Sequence, residues 1–289
     1  MKIKKGIGIH NSLHQKFGAV SINTGSCYAD EQQRAPVVYG RVNFIPKFQD
    51  GAILPKSDWR PLSESEQKML RPPKPSAHYN TIFLGELTEQ QVQHLKELKL
   101  TDATTLEDIY ALFRRNELVA KQLNDDLNVF LHNISGNKPY KFHCFGATYP
   151  NLASVSRLQK EHFPKDVRYL GLHNDCTSAM SIHTAQKFGN RISINLGKQA
   201  REFLFVNLSL KQAYNMIKKK SSSCAAQVDL ITMPRIFFSL YPEYPVLKIK
   251  LNPYQYYIAP TNNCFHDAQT LGNQFLDITM IFFGTFFIS

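Results

Sequence analysis

Six short runs rich in Val, Ile, Phe and Tyr fill one block of the chain: 167–172, 192–196, 203–206, 246–251, 256–258 and 278–283. Pro, Gly or Asn lie near most of their ends. Many short β-prone runs in one block predict a sandwich or barrel, not a parallel sheet with alternating helices. One helix interrupts them. Ser209 and Gln212 have the spacing of a capping box, and Leu210, Ala213, Tyr214 and Ile217 form one face. Lys218, Lys219 and Lys220 fall in its last turn, where the helix dipole favours cations. The apolar run 278–288 is too short to span a bilayer and reads as a buried terminal strand.

Upstream the texture differs. Residues 1–60 mix short β-prone pieces, such as 35–44, with Gly, Asn and Asp turn signals. The prolines of Arg71–Ser76 predict a surface connection. Thr88 and Gln91 give a second capping-box spacing, followed by Val92, Leu95 and Leu98 at helical intervals. Leu106 to His132 reads as one further helical stretch with an apolar stripe, stopped by Ser135–Pro139. The expected organisation is therefore a mixed, helical N-terminal region, 1–140, packed on a β core, 141–289, in one integrated domain. At 289 residues and 43% apolar, the chain has material for that.

The formal net charge of +11 favours acidic partners: nucleic acid, an anionic membrane surface or anionic small molecules. No aromatic-plus-basic recognition pattern singles out nucleic acid. The five cysteines are widely spaced, with no CxxC, which fits a reducing compartment. No apolar run follows the basic start Met1–Lys5, so no secretory signal is expected there. These features lead to the expectation of a soluble, cytoplasmic protein.

Two polar clusters carry the chemistry. The run Tyr169–Leu172 ends in His173-Asn174-Asp175, and Tyr256–Pro260 is followed by His266-Asp267. If the strand beginning near Val167 continues through Asp175, His173 and Asp175 project from the same face. His266 is the best-placed third ligand. Two imidazoles and one carboxylate on one side of an ion make a facial triad, which leaves positions open for a co-substrate and O₂ on Fe(II). Asp267 is positioned either to orient His266 or to cap a turn.

On these residues the segment 167–283 resembles the double-stranded β-helix core of Fe(II)- and 2-oxoglutarate-dependent oxygenases. His173, Asp175 and His266 match the family's His-x-Asp pair and distal histidine in kind and order. Asn190–Gly197 looks like the core strand after the first pair, and Asp277–Phe283 like the last. The resemblance implies an α+β fold: a double-stranded β-helix, a cupin-like jelly-roll barrel, with supporting helices. It also implies a dioxygenase using Fe(II), 2-oxoglutarate and O₂ to oxidise an unactivated C–H bond of a small-molecule or carrier-bound substrate. One departure stands out. Many members place an Arg or Lys about ten residues beyond the distal histidine, yet 267–289 contains neither. JmjC-like branches carry that cation after the first pair, which makes Arg191 the first candidate for the co-substrate carboxylate and Arg201 the second. Asn195 shares a face with Arg191 on a regular strand, and Tyr256 or Tyr257 could also hydrogen-bond the co-substrate. Loops near 176–189 and 218–245 are placed to shape a substrate pocket. Two other readings stay open: a metal-dependent hydrolase on a similar barrel, and a non-enzymatic β-barrel binding module.

Overall fold

The computed structural model describes residues 1–13, 19–29, 35–74, 76–157 and 167–288. The chain opens with strands β1 (Gly8–Asn11), β2 (Val20–Ile22), β3 (Ser26–Tyr28), β4 (Val37–Tyr39), β5 (Val42–Phe44), β6 (Lys47–Pro55) and β7 (Arg60–Pro61). Helix α1 (Glu64–Met69) and strand β8 (Thr81–Glu86) precede three helices, α2 (Glu89–Glu97), α3 (Leu106–Arg115) and α4 (Glu117–Ser135). Strands β9 (Lys141–Thr148), β10 (Arg168–Gly171), β11 (Asn190–Asn195) and β12 (Arg201–Phe205) come next. Helices α5 (Leu210–Lys220), α6 (Ser222–Ala225) and α7 (Met233–Leu240) separate these from β13 (Leu247–Leu251), β14 (Gln255–Ala259), β15 (His266–Gln269) and β16 (Asp277–Gly284).

The fold is mixed α/β with several sheets. A six-stranded sheet runs β1-β8-β14-β11-β16-β9, and a five-stranded sheet runs β15-β12-β13-β2-β7. A three-stranded sheet, β10-β6-β3, meets the second through an antiparallel bridge between His173 and His266. Strands from the first 140 residues therefore extend both large sheets.

Strand alternation sorts the side chains into layers. On β11, Ile192 and Ile194 pack with Leu95, Leu98, Leu123, Leu127 and Leu131 from the helical region. On β12, Leu204 packs with Leu210, Ile217 and Phe237 of α5 and α7. Phe203 and Phe205 alternate to the other side and join Ile82, Leu84, Ile249 and Tyr257, drawn from both sheets. Helices thus cover the outer face of each sheet, and one apolar layer lies between the sheets. Each large side chain buried there contributes about 1.5–3 kcal/mol.

Both capping boxes form, at Thr88 and Ser209. The stretch Leu106–His132 is not one helix. Asn116 leaves helical geometry (φ −123°, ψ 49°), and its Nδ2 donates to Leu112 O at 2.9 Å, closing α3 before α4 begins. A short amide that bonds nearby backbone competes with helix continuation. Strands β6, β8 and β9 each contain a glycine, which blunts their β signal. Gly85 faces Tyr256, whose ring a Cβ would meet at 2.4–2.9 Å, and Gly146 faces Thr279 Oγ1 at 2.5 Å. The Arg71–Ser76 connection is exposed or half-buried where described; its Pro75 lies outside the described residues. Among the described residues no helix is long and apolar enough to cross a membrane.

Candidate metal centre

The strand that begins near Val167 does not continue through Asp175. β10 ends at Gly171, whose φ is +70° and where a Cβ would meet Ile53 O at 2.4 Å. The register against β6 slips at the same point. Other segments hold the chain beyond it. Leu172 N donates to Ile53 O at 2.8 Å, His173 N to His266 O at 3.0 Å, and Asp175 N to Thr261 O at 3.1 Å. His266 N returns a bond to His173 O at 2.7 Å. His266 opens β15, where the family pattern places the distal histidine near the end of a late strand.

This backbone lacing brings His173, Asp175 and His266 together. One ligand atom from each lies within 4.8 Å of the others. His173 Nε2 is 3.9 Å from Asp175 Oδ1, and His266 Nε2 is 3.8 Å from Asp175 Oδ2. Those distances are too long for hydrogen bonds. They fall inside the roughly 4.2 Å that can separate two ligands each about 2.1 Å from one ion. His173 Nδ1 lies 2.9 Å from Gly171 O, and His266 Nδ1 lies 3.4 Å from Cys264 O. With each Nδ1–H donating to a carbonyl, the Nε2 lone pairs are left for an ion.

The electrostatics favour the ligating forms. Burial pushes the Asp175 carboxyl up, but the cationic surroundings, the Arg191 guanidinium foremost, outweigh it and hold it well below the usual carboxylate range. Burial pulls His266 well below the usual imidazole value, with Asp175 only partly opposing, so the ring is neutral. A carboxylate and a neutral imidazole are what a divalent ion requires.

The remaining candidates separate by position. Arg191 reaches the cluster: its Nη2 donates to Asp175 Oδ2 at 2.6 Å, and its guanidinium lies 4.8 Å from the Phe283 ring centre. Arg201 is buried elsewhere in the interior, donating from Nη1 to Ser193 Oγ at 2.9 Å, with Nε 3.4 Å from Asp277 Oδ1. Burial pushes the Asp277 carboxyl up, and Arg201 opposes that. The Asn195 side chain is consumed at its strand end: Nδ2 donates to Gln199 O and Leu251 O, and Oδ1 accepts from Gly197 N. Tyr256 packs against Phe130 and Gly85 on the helical side, whereas Tyr257 stacks on Phe203 at 4.1 Å between the sheets. Asp267 does not orient His266. It alternates to the opposite face of β15, and its Oδ1 accepts from Ala268 N at 2.8 Å and Ser156 N at 3.3 Å. Thr177 accepts the turn bond from Met180 N, Cys176 is exposed and Cys264 is buried.

Thr261 was not legible in the sequence. It is buried, holds Asp175 through its backbone carbonyl, and its side chain adds slightly to what keeps the carboxylate charged. Only its place just after Pro260 at the end of a β run hinted at it. His14 and His162, two of the histidines outside the motif, lie outside the described residues.

No protein-family model matches the chain, and no curated protein matches it in sequence. Solved structures of the Kdo hydroxylase KdoO, a non-heme Fe(II) alphaketoglutarate dependent dioxygenase, are similar to it. The cobalt(II) complex has a TM-score of 0.35 at 12% identity, over 72% of this chain and 81% of that one. The complex with succinate and Fe(III) has a TM-score of 0.34 at 12% identity, over 72% and 80%.

Proposed function

We propose that the chain is an Fe(II)- and 2-oxoglutarate-dependent dioxygenase on a double-stranded β-helix, with His173, Asp175 and His266 as metal ligands. The observation that carries the reading is the convergence of those three side chains within 4.8 Å. The strand order supports the fold. From β9 to β16, strands β9, β11, β14 and β16 lie in the six-stranded sheet and β12, β13 and β15 in the five-stranded one, with β10 joined to β15 by the His173–His266 bridge. That back-and-forth is how a double-stranded β-helix winds.

The donor set fits Fe(II): two imidazoles with Nδ1 tied to carbonyls and one carboxylate held charged by its neighbours. When bound with 2-oxoglutarate and O₂, the iron supplies the oxidising power for an unactivated C–H bond. The chain's own residues do the rest. Arg191 is the preferred partner for a co-substrate carboxylate because it lies at the triad, although the Nε of each arginine is buried without a hydrogen-bond partner among the described residues. Arg201 is less available, being committed to Ser193 and Asp277. Phe203, with its ring 6.1 Å from that of His266, and Tyr257 stacked on it form an apolar wall that keeps water from one side of the site. The substrate is a small molecule or a carrier-bound group.

Anaerobic titration tests this. Fe(II) with 2-oxoglutarate should give a visible charge-transfer band that His173→Ala abolishes. Metal binding with no dependence on the keto acid would favour a hydrolase. Binding of neither would leave a β-barrel binding module.

A further inference from the structure

Two cavities share a wall, and the smaller opens beside His173 of the triad. The smaller, about 400 Å³, is lined by His173 itself with Leu172, Asn174, Pro234 and Arg235. The larger, about 580 Å³, is lined by Met180, Ile182, Tyr214 and Val228. Cys176, Leu230 and Ile231 line both, so the two form one cleft of two chambers. Segments 176–183 and 228–235, from the regions expected to be pocket loops, build only part of it: residues 233–235 belong to helix α7, and the smaller chamber is lined as much by 49–53 of β6 and by 170–174.

The walls are largely apolar, and the polar groups in them are unevenly satisfied. Asp229 is used up in its own turn, accepting from Ile231 N at 2.8 Å and Thr232 N at 2.6 Å. Asp50 faces Arg168 at 3.4 Å. Arg235 is exposed and has no carboxylate partner among the described residues. Its stem lies across Gly51, whose missing side chain makes room: a Cβ there would meet Arg235 Cδ at 2.9 Å. Asn174 is 6% exposed, and its Oδ1 has no hydrogen-bond partner among the described residues. Ile231, at the junction of the chambers, is 80% exposed.

We propose that this cleft binds an amphipathic carboxylate. Its charged group pairs with Arg235 in the smaller chamber, beside His173. Its apolar chain runs past Leu230 and Ile231 into the larger chamber. An unpaired guanidinium selects the anion. The apolar walls select the chain, which covers Ile231. The cleft's role as a substrate site rests on the dioxygenase reading; its occupancy does not.

The probe is decanoate, titrated calorimetrically into the metal-free, full-length protein below its micellar range. Saturable one-to-one binding is expected. Arg235→Gln and Ile231→Asp should each weaken it at least tenfold, and decyltrimethylammonium, the same tail with the opposite charge, should not bind. Both substitutions are at exposed positions, and a thermal melt checks that each variant folds. Affinity unchanged in both variants, or equal binding of the ammonium, overturns the proposal. In the Mn(II)-loaded protein, broadening of the decanoate resonances nearest the carboxylate, absent in Asp175→Asn, would support adjacency to the triad. A keto acid band without decanoate binding sinks the cleft alone. Decanoate binding without any metal binding sinks the dioxygenase reading alone.

Discussion

Asp175 sits among three basic side chains, and that crowding decides what each can do. Its Oδ2 is 2.6 Å from Arg191 Nη2 and 3.8 Å from His266 Nε2. Asp175→Asn removes the charge but not the shape. Groups beyond the ligand shell typically change metal affinity 10–100-fold, so loss of a ligand charge should weaken Co(II) binding by more than 100-fold in a spectroscopic titration. The two arginines should behave differently. Arg191→Met should weaken 2-oxoglutarate binding and cost about 1–3 kcal/mol, because it removes the 2.6 Å partner of a largely buried Asp175. Arg201→Met should cost about 3 kcal/mol in a denaturant melt, because it strands a buried Asp277. If instead Arg201→Met alone removes keto acid binding, the two roles are reversed. At this scale much was readable: His173, Asp175, His266 and Arg191 stand out by type and order. Asn174, Thr261 and Arg235 did not, since nothing in their local sequence distinguishes a buried acceptor from a loop amide.

Elements set the reach of those residues. Gly171 ends β10 at positive φ, tight against Ile53 O, and its own carbonyl takes the His173 Nδ1. Gly171→Ala meets both a left-handed backbone and a backbone clash, and should cost at least about 2 kcal/mol. It should also lower metal affinity, because relieving the clash with Ile53 shifts the residue-171 carbonyl that orients His173. A melting curve and a Co(II) titration on one preparation measure both. At the other edge, α1 is fixed by Ser63 and Glu66, which cap each other while Glu66 pairs with Arg60 at 2.7 Å. The Arg60 hydrogen bond outweighs partial burial and holds the Glu66 carboxyl at about 2, against an ordinary value of 4.5. The folded value is depressed, so the pair's contribution is complete above 4.5 and is lost as pH falls toward 2. The stability difference between wild type and Glu66→Gln should therefore be flat above pH 5 and shrink below pH 4.5. A difference that grows in acid would refute this assignment. The caps at Thr88 and Ser209 were legible from spacing alone, whereas the same spacing at Ser63 and Glu66 opens a helix too short to show an apolar period. The break at Asn116 was not, because an asparagine between two apolar stripes reads equally as a helix interior residue.

For the molecule as a whole, the triad is also a clasp. His173 and Asp175 follow β10 of the three-stranded sheet and His266 opens β15 of the five-stranded one, so an ion held by all three ties the two sheets together. Metal at 100 times its Kd should stabilise the folded chain by about 2.7 kcal/mol. That corresponds to a rise in Tm of about 4 °C for a chain of this size. Asp175→Asn should show no such rise. A metal-independent Tm in the wild type would mean that the three side chains do not act as a chelate. By itself the sequence determined the β-rich half, the helix caps at Thr88 and Ser209 and the chemical type of the three candidate ligands, because periodicity, caps and donor type are local properties of residues. Only the tertiary structure decided that Asp175 escapes the strand yet still faces His266. It likewise decided that Asn195 and one carboxylate oxygen of Asp267 are spent on backbone and that an arginine stem lies across Gly51. Those outcomes depend on which distant backbone groups are left unpaired and which side chains must give way, and neither is written in any one stretch of the chain.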